Sequence, residues 1–520
     1  MTLDRRTLLS GGAATLGWLA GGIAMPAWAQ AAKTLNVALF PEPNALIAGA
    51  GSTGPAQMVI GNIYDGLLRF DDKLQPMPGL ATEWSVSPDG MAYTFKLKEG
   101  VTWHDGKPFT ADDVVFTADK LQRTLNPRVR VAMQSVASVK ALDARTVEFR
   151  MAQPYAAFIG LLDVSSMPIA PKHLLGEMDL TKPLTGTPVG TGPFKFKEWQ
   201  RGSFIQLVKN DKYHVAGLPR VDNVYWHVIP DGASRAAAFE SGKVDVLPGG
   251  AVEYFDVGRL AKLPGASVTT QGYEKLGPTA SMWINHRTPI LQDVRVRQAI
   301  MHAIDREAMA KVAWFGFAKP ATGVFNSKTV FYTDQTRKYP RDVALAKKLL
   351  AEAGYKGQPL RLLPLPFGEA WSRTAEMIRQ NLQEAGFKIE LVSADLPGVM
   401  ARASNWDFDL SLTYLFQLGD PALGVARSYV GSEIKKGSPF NNVGGYQNPK
   451  VDALFERGAR ETDPKKRAEI YADVQRTMSD DVAAAWLLEL NFPTVYRSKV
   501  DDLMTSGFGL TDNLARASIK

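Results

Sequence analysis

Tyr93, Phe95 and Leu97 alternate with polar residues after a Ser87-Pro88-Asp89-Gly90 turn, the period-two pattern of a half-buried strand. Thr110 and Asp113 then have capping-box spacing, and Val114, Val115, Ala118 and Leu121 follow on one helical face. Asp143-Ala144-Arg145 predicts the turn of a hairpin between residues 139–142 and 146–149. The second half of the chain is richer in helix. Val296, Ile300, Ala303 and Ile304 share one face; Leu345, Leu349 and Leu350 share another, with Gly354 placed to end that helix. Residues 360–363, a helix from about Thr374 to Ala385, and residues 388–392 predict a βαβ unit. Asp463-Pro464 opens a further helix that turns Ile470, Tyr471, Val474 and Met478 inward. Strand and helix periods alternate throughout, which predicts α/β layers. Breaks rich in Gly, Pro and Thr fall near 186–192 and 272–278.

The chain has 520 residues, and at roughly 150 per domain this is three or four domain-equivalents rather than one core. Hydrophobic residues make up 45% and charged residues 22%, which excludes disorder, collagen and a multi-span membrane protein. The 60 Lys+Arg against 53 Asp+Glu leave a net charge of +7, and the longest basic run is Lys465-Lys466-Arg467. Charge spread so thinly does not supply the field that nucleic acid requires. Cysteine is absent, so disulfides, thiolate metal sites and a cysteine nucleophile are excluded.

Arg5-Arg6 precede an apolar, Gly-rich stretch to about Ala24 that ends at Pro26-Ala27-Trp28-Ala29. A charged start, an apolar middle and a small-residue exit predict a secretory signal peptide cleaved after Ala29. The paired arginines point to the twin-arginine route. Cleavage would remove Asp4, Arg5 and Arg6, one net positive charge, and leave +6. The apolar stretch is short of the roughly 20 residues that span a bilayer, so the mature protein is expected free in a periplasm.

Catalytic motifs are missing. The histidines His104, His173, His214, His227, His286 and His302 are scattered, with no His-Glu-x-x-His and no i, i+4 pair. Neither a phosphate loop ending in Gly-Lys-Ser/Thr nor a Gly-x-Ser-x-Gly elbow occurs. Gly190-Thr191-Gly192-Pro193 lacks the third glycine of a dinucleotide fingerprint and suits a tight turn. Asp112-Asp113, Asp480-Asp481 and Asp501-Asp502 are adjacent carboxylates that point different ways, better read as helix-terminal or surface charge than as a glycosidase pair. No catalytic residue, metal ligand or cofactor is expected. An exported, cysteine-free α/β protein without such motifs fits a binding protein better than an enzyme.

Residues 81–116, ATEWSVSPDGMAYTFKLKEGVTWHDGKPFTADDVVF, closely resemble the family 5 extracellular solute-binding proteins, the peptide, opine and nickel receptors of ABC importers. Matches continue in the family's order at Pro188-Val-Gly-Thr-Gly-Pro-Phe194, Asn210-Asp-Lys-Tyr213, Ser241-Gly-Lys-Val-Asp245, residues 293–300 with Ala303-Ile-Asp-Arg306, residues 344–355 and Asn448-Pro-Lys-Val-Asp452. The resemblance spans essentially the whole mature chain. It implies a two-lobed periplasmic-binding-protein fold of type II, cluster C, with an extra inserted subdomain. Mapped here, the first lobe uses 32–60, 187–272 and 491–520, the extra subdomain 61–186, and the second lobe 279–490. The lobes would close on a solute about two crossings, near 272–279 and 490–494. Trp84, Trp103 and Phe109 are expected as core anchors of the extra subdomain.

In the peptide receptors of the family, an aspartate four residues before a proline neutralises the peptide's α-amino group. The corresponding stretch, residues 409–421, has Gln417 at that place and keeps only Asp420 acidic beside Pro421. An amide cannot cancel an ammonium charge in a dry cleft. Either Asp420 takes the role, or the solute presents no free amino terminus there. Tyr414, Phe416 and Gln417 are expected on the cleft side, with Arg427 and Arg373 as partners for a ligand carboxylate or phosphate. Trp283, Asn285 and Tyr446 complete the ligand set that a mixed aromatic and polar cleft would use. The expected function is capture of a small polar, peptide-like or amino-acid-derived solute for an inner-membrane ABC permease, by a monomer. The competing expectations are a periplasmic hydrolase and a chaperone-like binding protein on the same fold.

Overall fold

Leu35, Val37 and Leu39 alternate with polar neighbours and build the strand Thr34–Leu39. It lies parallel to Asn223–Val228, with Val37 beside the buried Trp226. The computed structural model describes residues 32–50, 53–184, 186–439 and 441–520, with the side chains of 127, 128 and 131 left aside. The expected signal segment and its cleavage point lie outside the described residues. Lys33–Lys520 form one unit, built on three main sheets.

A seven-stranded sheet runs in the order Ala266–Thr269, Thr494–Arg497, Val246–Leu247, Thr34–Leu39, Asn223–Val228, Phe204–Lys209, Phe194–Gln200. Its central strand is buried on both faces: Leu35 and Val37 join one apolar cluster, Ala38 another around Phe239 and Leu247. A four-stranded antiparallel sheet, Ala81–Val86, Ala92–Leu97, Thr146–Met151 and Val136–Asp143, points Tyr93, Phe95, Leu97, Val147 and Phe149 into its own core. Trp103 and Phe109 are buried there, while Trp84 is half-buried at its edge. The helix capped by Thr110 is not regular. After Ala111–Val115 it passes through a π segment, Phe116–Gln122. The wider winding of this segment lets Val114 and Ala118 enter the core of the four-stranded sheet while Phe116 and Leu121 enter that of the seven-stranded one.

The six-stranded sheet has the order Ala318–Pro320, Ala485–Leu490, Thr279–Ile284, Leu410–Leu415, Pro359–Leu363, Lys388–Leu391. Its last two strands are parallel and joined by the helix Glu369–Glu384, the predicted βαβ unit. That helix begins five residues before Thr374, because Gly368 at φ 82° sets the chain break. The helix Val343–Glu352 turns Ala346 and Leu350 fully inward and leaves Leu345 and Leu349 half-buried, a face rotated from the one expected. Pro464–Asp481 buries Ile470, Tyr471, Val474 and Met478 as predicted. The chain passes between the seven- and six-stranded sheets twice, after Thr269 and after Leu490.

Two of the stretches that resemble the family, residues 188–194 and 210–213, meet in the interior. A Cβ on Gly190 would lie 1.8 Å from the Ile63 carbonyl oxygen, so the backbone approach itself demands glycine. Thr191 Oγ1 donates to Asp65 Oδ2 at 3.0 Å, the Tyr213 hydroxyl donates to Asp65 Oδ1 at 3.2 Å, and His214 Nε2 is 3.0 Å from Oδ2. Burial opposes ionisation of Asp65, but His214, Thr191 and Arg69 outweigh it and hold the carboxyl below its ordinary range. These motifs tie the seven-stranded sheet to residues 61–66 and are scaffold.

Candidate functional site

The strand Leu410–Leu415 pairs antiparallel with Thr279–Ile284, placing Tyr414 beside Ala280 at the end where the chain crosses between sheets. Tyr414 is half-buried among rings: Phe416 at 5.4 Å, Trp371 at 5.8 Å, Phe367 at 6.0 Å and Phe492 at 6.4 Å. Burial raises the Tyr414 phenol above its usual range, so it stays neutral. The aromatic line continues through Trp371 and Trp314 to Tyr254 on the helix Tyr254–Leu260, which flanks the seven-stranded sheet. Beyond Phe416 the strand ends. Leu418 at φ 56° and Gly419 at φ 79° reverse the backbone, and Asp420 caps the short helix Pro421–Gly424 by accepting from the Ala422 N–H at 2.9 Å.

That reversal forms one wall of a cavity of about 160 Å³. Leu418, Gly419, Asp420 and Leu423 come from this segment, with Val330 beside them. The opposite wall comes from the strands Leu68–Phe70 and Pro76–Pro78, the intervening Leu74, and the turn Ala156–Leu161. Lys275, from the first crossing, and Phe508, from the C-terminal stretch, close it. Two ionic side chains line the space, and both are already matched. The Lys275 ammonium is paired with Asp163, donates to Ser166 Oγ at 2.8 Å, and lies 4.2 Å from the centre of the Phe508 ring. Asp420 accepts two bonds from the buried Arg467 guanidinium, at 2.9 and 3.0 Å. Such a bidentate pair is the strong form of a carboxylate–arginine contact.

The sequence-predicted residues do not form one cluster. Tyr414 and Phe416 come together in the aromatic group, and Asp420 reaches the cavity. Gln417 turns inward: it is 3% exposed, its backbone N–H donates to the Leu276 carbonyl at 2.7 Å, and Thr329 Oγ1 donates to its amide oxygen at 3.4 Å. Alternation decides this, since Gln417 follows Phe416 on the opposite side of the strand's continuation. Trp283 pairs with Ser411 on the sheet face opposite to Tyr414; its indole N–H and the Ser411 hydroxyl are buried without hydrogen-bond partners. Asn285 is internal, its amide donating to the Phe408 and Trp406 carbonyls at 2.8 and 3.2 Å. Tyr446 is buried and donates to Asp481 Oδ2 at 2.5 Å. Asn285 stands five residues along the strand from Ala280, about 16 Å at the usual rise. Arg373 lies on the outer side of its helix, donating from Nε to Glu369 at 2.9 Å. Arg427 is half-buried in the turn Ala426–Ser428.

The cavity's other lining was missed. Leu74, Phe508 and the 156–159 turn are distant in sequence and carry no chemical signature. Lys275 offered one: a cation inside the Gly- and Pro-rich crossing, where an ordinary linker keeps its charges in solvent. Among the described residues no group of three or more His, Asp or Glu is placed to hold a metal ion, and no helix is long and apolar enough to cross a membrane.

Residues 75–436 match the family described as bacterial extracellular solute-binding proteins, family 5 Middle. The chain is 28% identical over 501 residues to the glutathione-binding protein GsiB of Pectobacterium atrosepticum, covering 94% of this chain and 93% of that protein. Among solved structures it is similar to CtaP of Listeria monocytogenes, an ABC transporter substrate-binding protein, with a TM-score of 0.82 and 26% identity over 94% of this chain and 99% of that one. It is also similar to AgaA of A. tumefaciens R10, solved with agropinic acid, with a TM-score of 0.77 and 26% identity over the same shares.

Proposed function

The chain belongs to the bacterial extracellular solute-binding proteins of family 5, and from that premise we propose that it closes two lobes on a peptide-like or amino-acid-derived solute and hands it to an inner-membrane permease. As a member of the family it is the substrate-binding component of an ABC importer, and it binds its solute without transforming it. The glutathione and agropinic acid named for GsiB and AgaA support a small amino-acid-derived solute.

The first lobe is assigned to the seven-stranded sheet, the extra subdomain to residues 61–186, and the second lobe to residues 279–490. The segments at 272–279 and 490–494 serve as the hinge. The protein acts as a monomer in the periplasm after cleavage behind Ala29, exported by the twin-arginine route. The observation that carries this assignment is the cavity itself, because residues 70–76, 156–160, 275 and 418–423 meet there. An affinity near micromolar, about −8 kcal/mol, suits a receptor that must also release.

Native mass spectrometry of protein purified from its own periplasm tests this function. A retained small molecule is expected, and returning it to stripped protein should contract the particle in small-angle scattering. Conversion of that molecule into a product, or no contraction with any recovered compound, overturns it.

A further inference from the structure

We propose that the cavity between residues 156–160 and 418–423 takes an uncharged, apolar group of the solute, such as an aromatic ring or branched alkyl chain, and not its ammonium. This rests on the solute-binding reading above and narrows it: the solute is amphipathic, with its apolar end lodged here.

The argument is one of charge already spent. A cation entering this space would leave water and need an anion. The one carboxylate on the lining, Asp420, has both oxygens engaged by Arg467 and one also by the Ala422 N–H. An anion would need Lys275, whose ammonium is paired with Asp163 and bonded to Ser166. Both pairs are buried: side-chain exposures are 7% and 13% for Arg467 and Asp420, and 7% and 4% for Lys275 and Asp163. Recruiting either lining ion therefore strands its buried partner, the expensive outcome for any ion pair. Gln417, at the place where an aspartate would serve an amino terminus, faces Val324 and Thr329 instead. The remaining walls are Phe, Leu, Ile, Val, Pro, Ala and Gly. The volume of about 160 Å³ is close to that of an apolar cavity known to hold benzene, roughly 150 Å³.

Ethylbenzene and the benzylammonium ion have the same size and differ in charge. Ligand-observed NMR titration of the stripped, full mature protein at neutral pH with each should show ethylbenzene bound more tightly by at least about tenfold, the desolvation cost of an unpaired cation. Ala156→Phe, which fills the space from a partly exposed position, should abolish ethylbenzene binding while leaving the far-ultraviolet spectrum unchanged. A second variant, Leu423→Ala, should keep binding and admit a larger probe such as butylbenzene. Equal or tighter binding of benzylammonium, or no binding of ethylbenzene at its solubility limit, overturns the proposal. The import function is judged separately. A solute recovered from the periplasm that contracts the particle but fails to compete with ethylbenzene leaves that function standing and sinks this assignment.

Discussion

Lys275, in the segment that carries the chain between the seven- and six-stranded sheets, forms a buried ion pair with Asp163, which lies beyond the four-stranded sheet. Asp163 also accepts the backbone N–H groups of Ser165 and Ser166, at 2.8 and 3.0 Å. The crossing is thus fastened to the inserted segment by charge, with Phe508 over the ammonium.

Removing one partner leaves the other buried and unmatched. Lys275→Met is expected to lower unfolding stability by about 3–5 kcal/mol. Lys275→Met with Asp163→Asn should recover part of the loss, since the amide oxygen can still accept from Ser165 and Ser166. Urea unfolding followed by tryptophan fluorescence measures both, and equal stability of Lys275→Met and the parent protein would refute the assigned role.

Gln417 was expected to touch solute, but its interior position transfers its importance to the fold. Gln417→Ala should cost about 1–3 kcal/mol by leaving Thr329 and the Val324 carbonyl unsatisfied. Affinity for the retained solute should stay unchanged in calorimetry. A large loss of affinity at unchanged stability would restore Gln417 to the binding surface.

Glu253 stands at the entrance to the helix Glu369–Glu384: a Cβ on Gly368 would lie 2.7 Å from its Oε1. A carboxylate there complements the positive end of a helix that lacks a side-chain cap. Phe255, two residues on, reaches Phe315 at 6.5 Å between ring centres. With these surfaces already in contact, Glu253→Ala should weaken solute binding by about two- to fivefold, the worth of one such charge. Calorimetry at low and high salt checks this, with the difference shrinking as salt rises.

His104 and His286 should make the protein less stable in acid. Burial is the main cause that lowers each to about 4 from the ordinary 6.5, with Gly192 partly opposing it at His104 and Arg297 adding to it at His286. The His104 geometry agrees: Nδ1 accepts from the Gly190 N–H at 3.2 Å while Nε2 faces the Gly192 carbonyl at 3.0 Å, which only a neutral ring satisfies. Between pH 6.5 and 4 the unfolded chain binds these protons and the folded chain does not. Stability is therefore fully present above pH 6.5 and falls toward pH 4, by up to about 3 kcal/mol per histidine. His104→Gln should flatten the slope of the urea midpoint against pH over that window.

Legibility in the sequence followed the range of the forces involved. The hairpin at residues 136–151, the βαβ unit at 359–391 and the helix Pro464–Asp481 are local patterns, and periodicity exposed them. The break in the helix after Val115 was not legible, because it answers to two cores that meet only in space. At the site, Tyr414 and Phe416 could be picked out by their place in a stretch with family resemblance. Tyr446 shares the residue type of Tyr414, and Asn285 is as polar as a ligand contact would be, yet both serve as internal braces, bonded to Asp481 and to the carbonyls near Phe408. Residue type alone does not say which side of a strand faces a cavity.

The amino-acid order by itself determined the class of fold, because alternating strand and helix periods are local, and it carried the family through the resemblance of residues 81–116 and the stretches that follow in the same order. Only the tertiary structure decided which charges remain to meet a solute. Arg467 is 47 residues from Asp420 and Asp163 is 112 from Lys275, and the neutralisation of each ion by a distant partner depends on chain segments brought together by burial of their apolar faces.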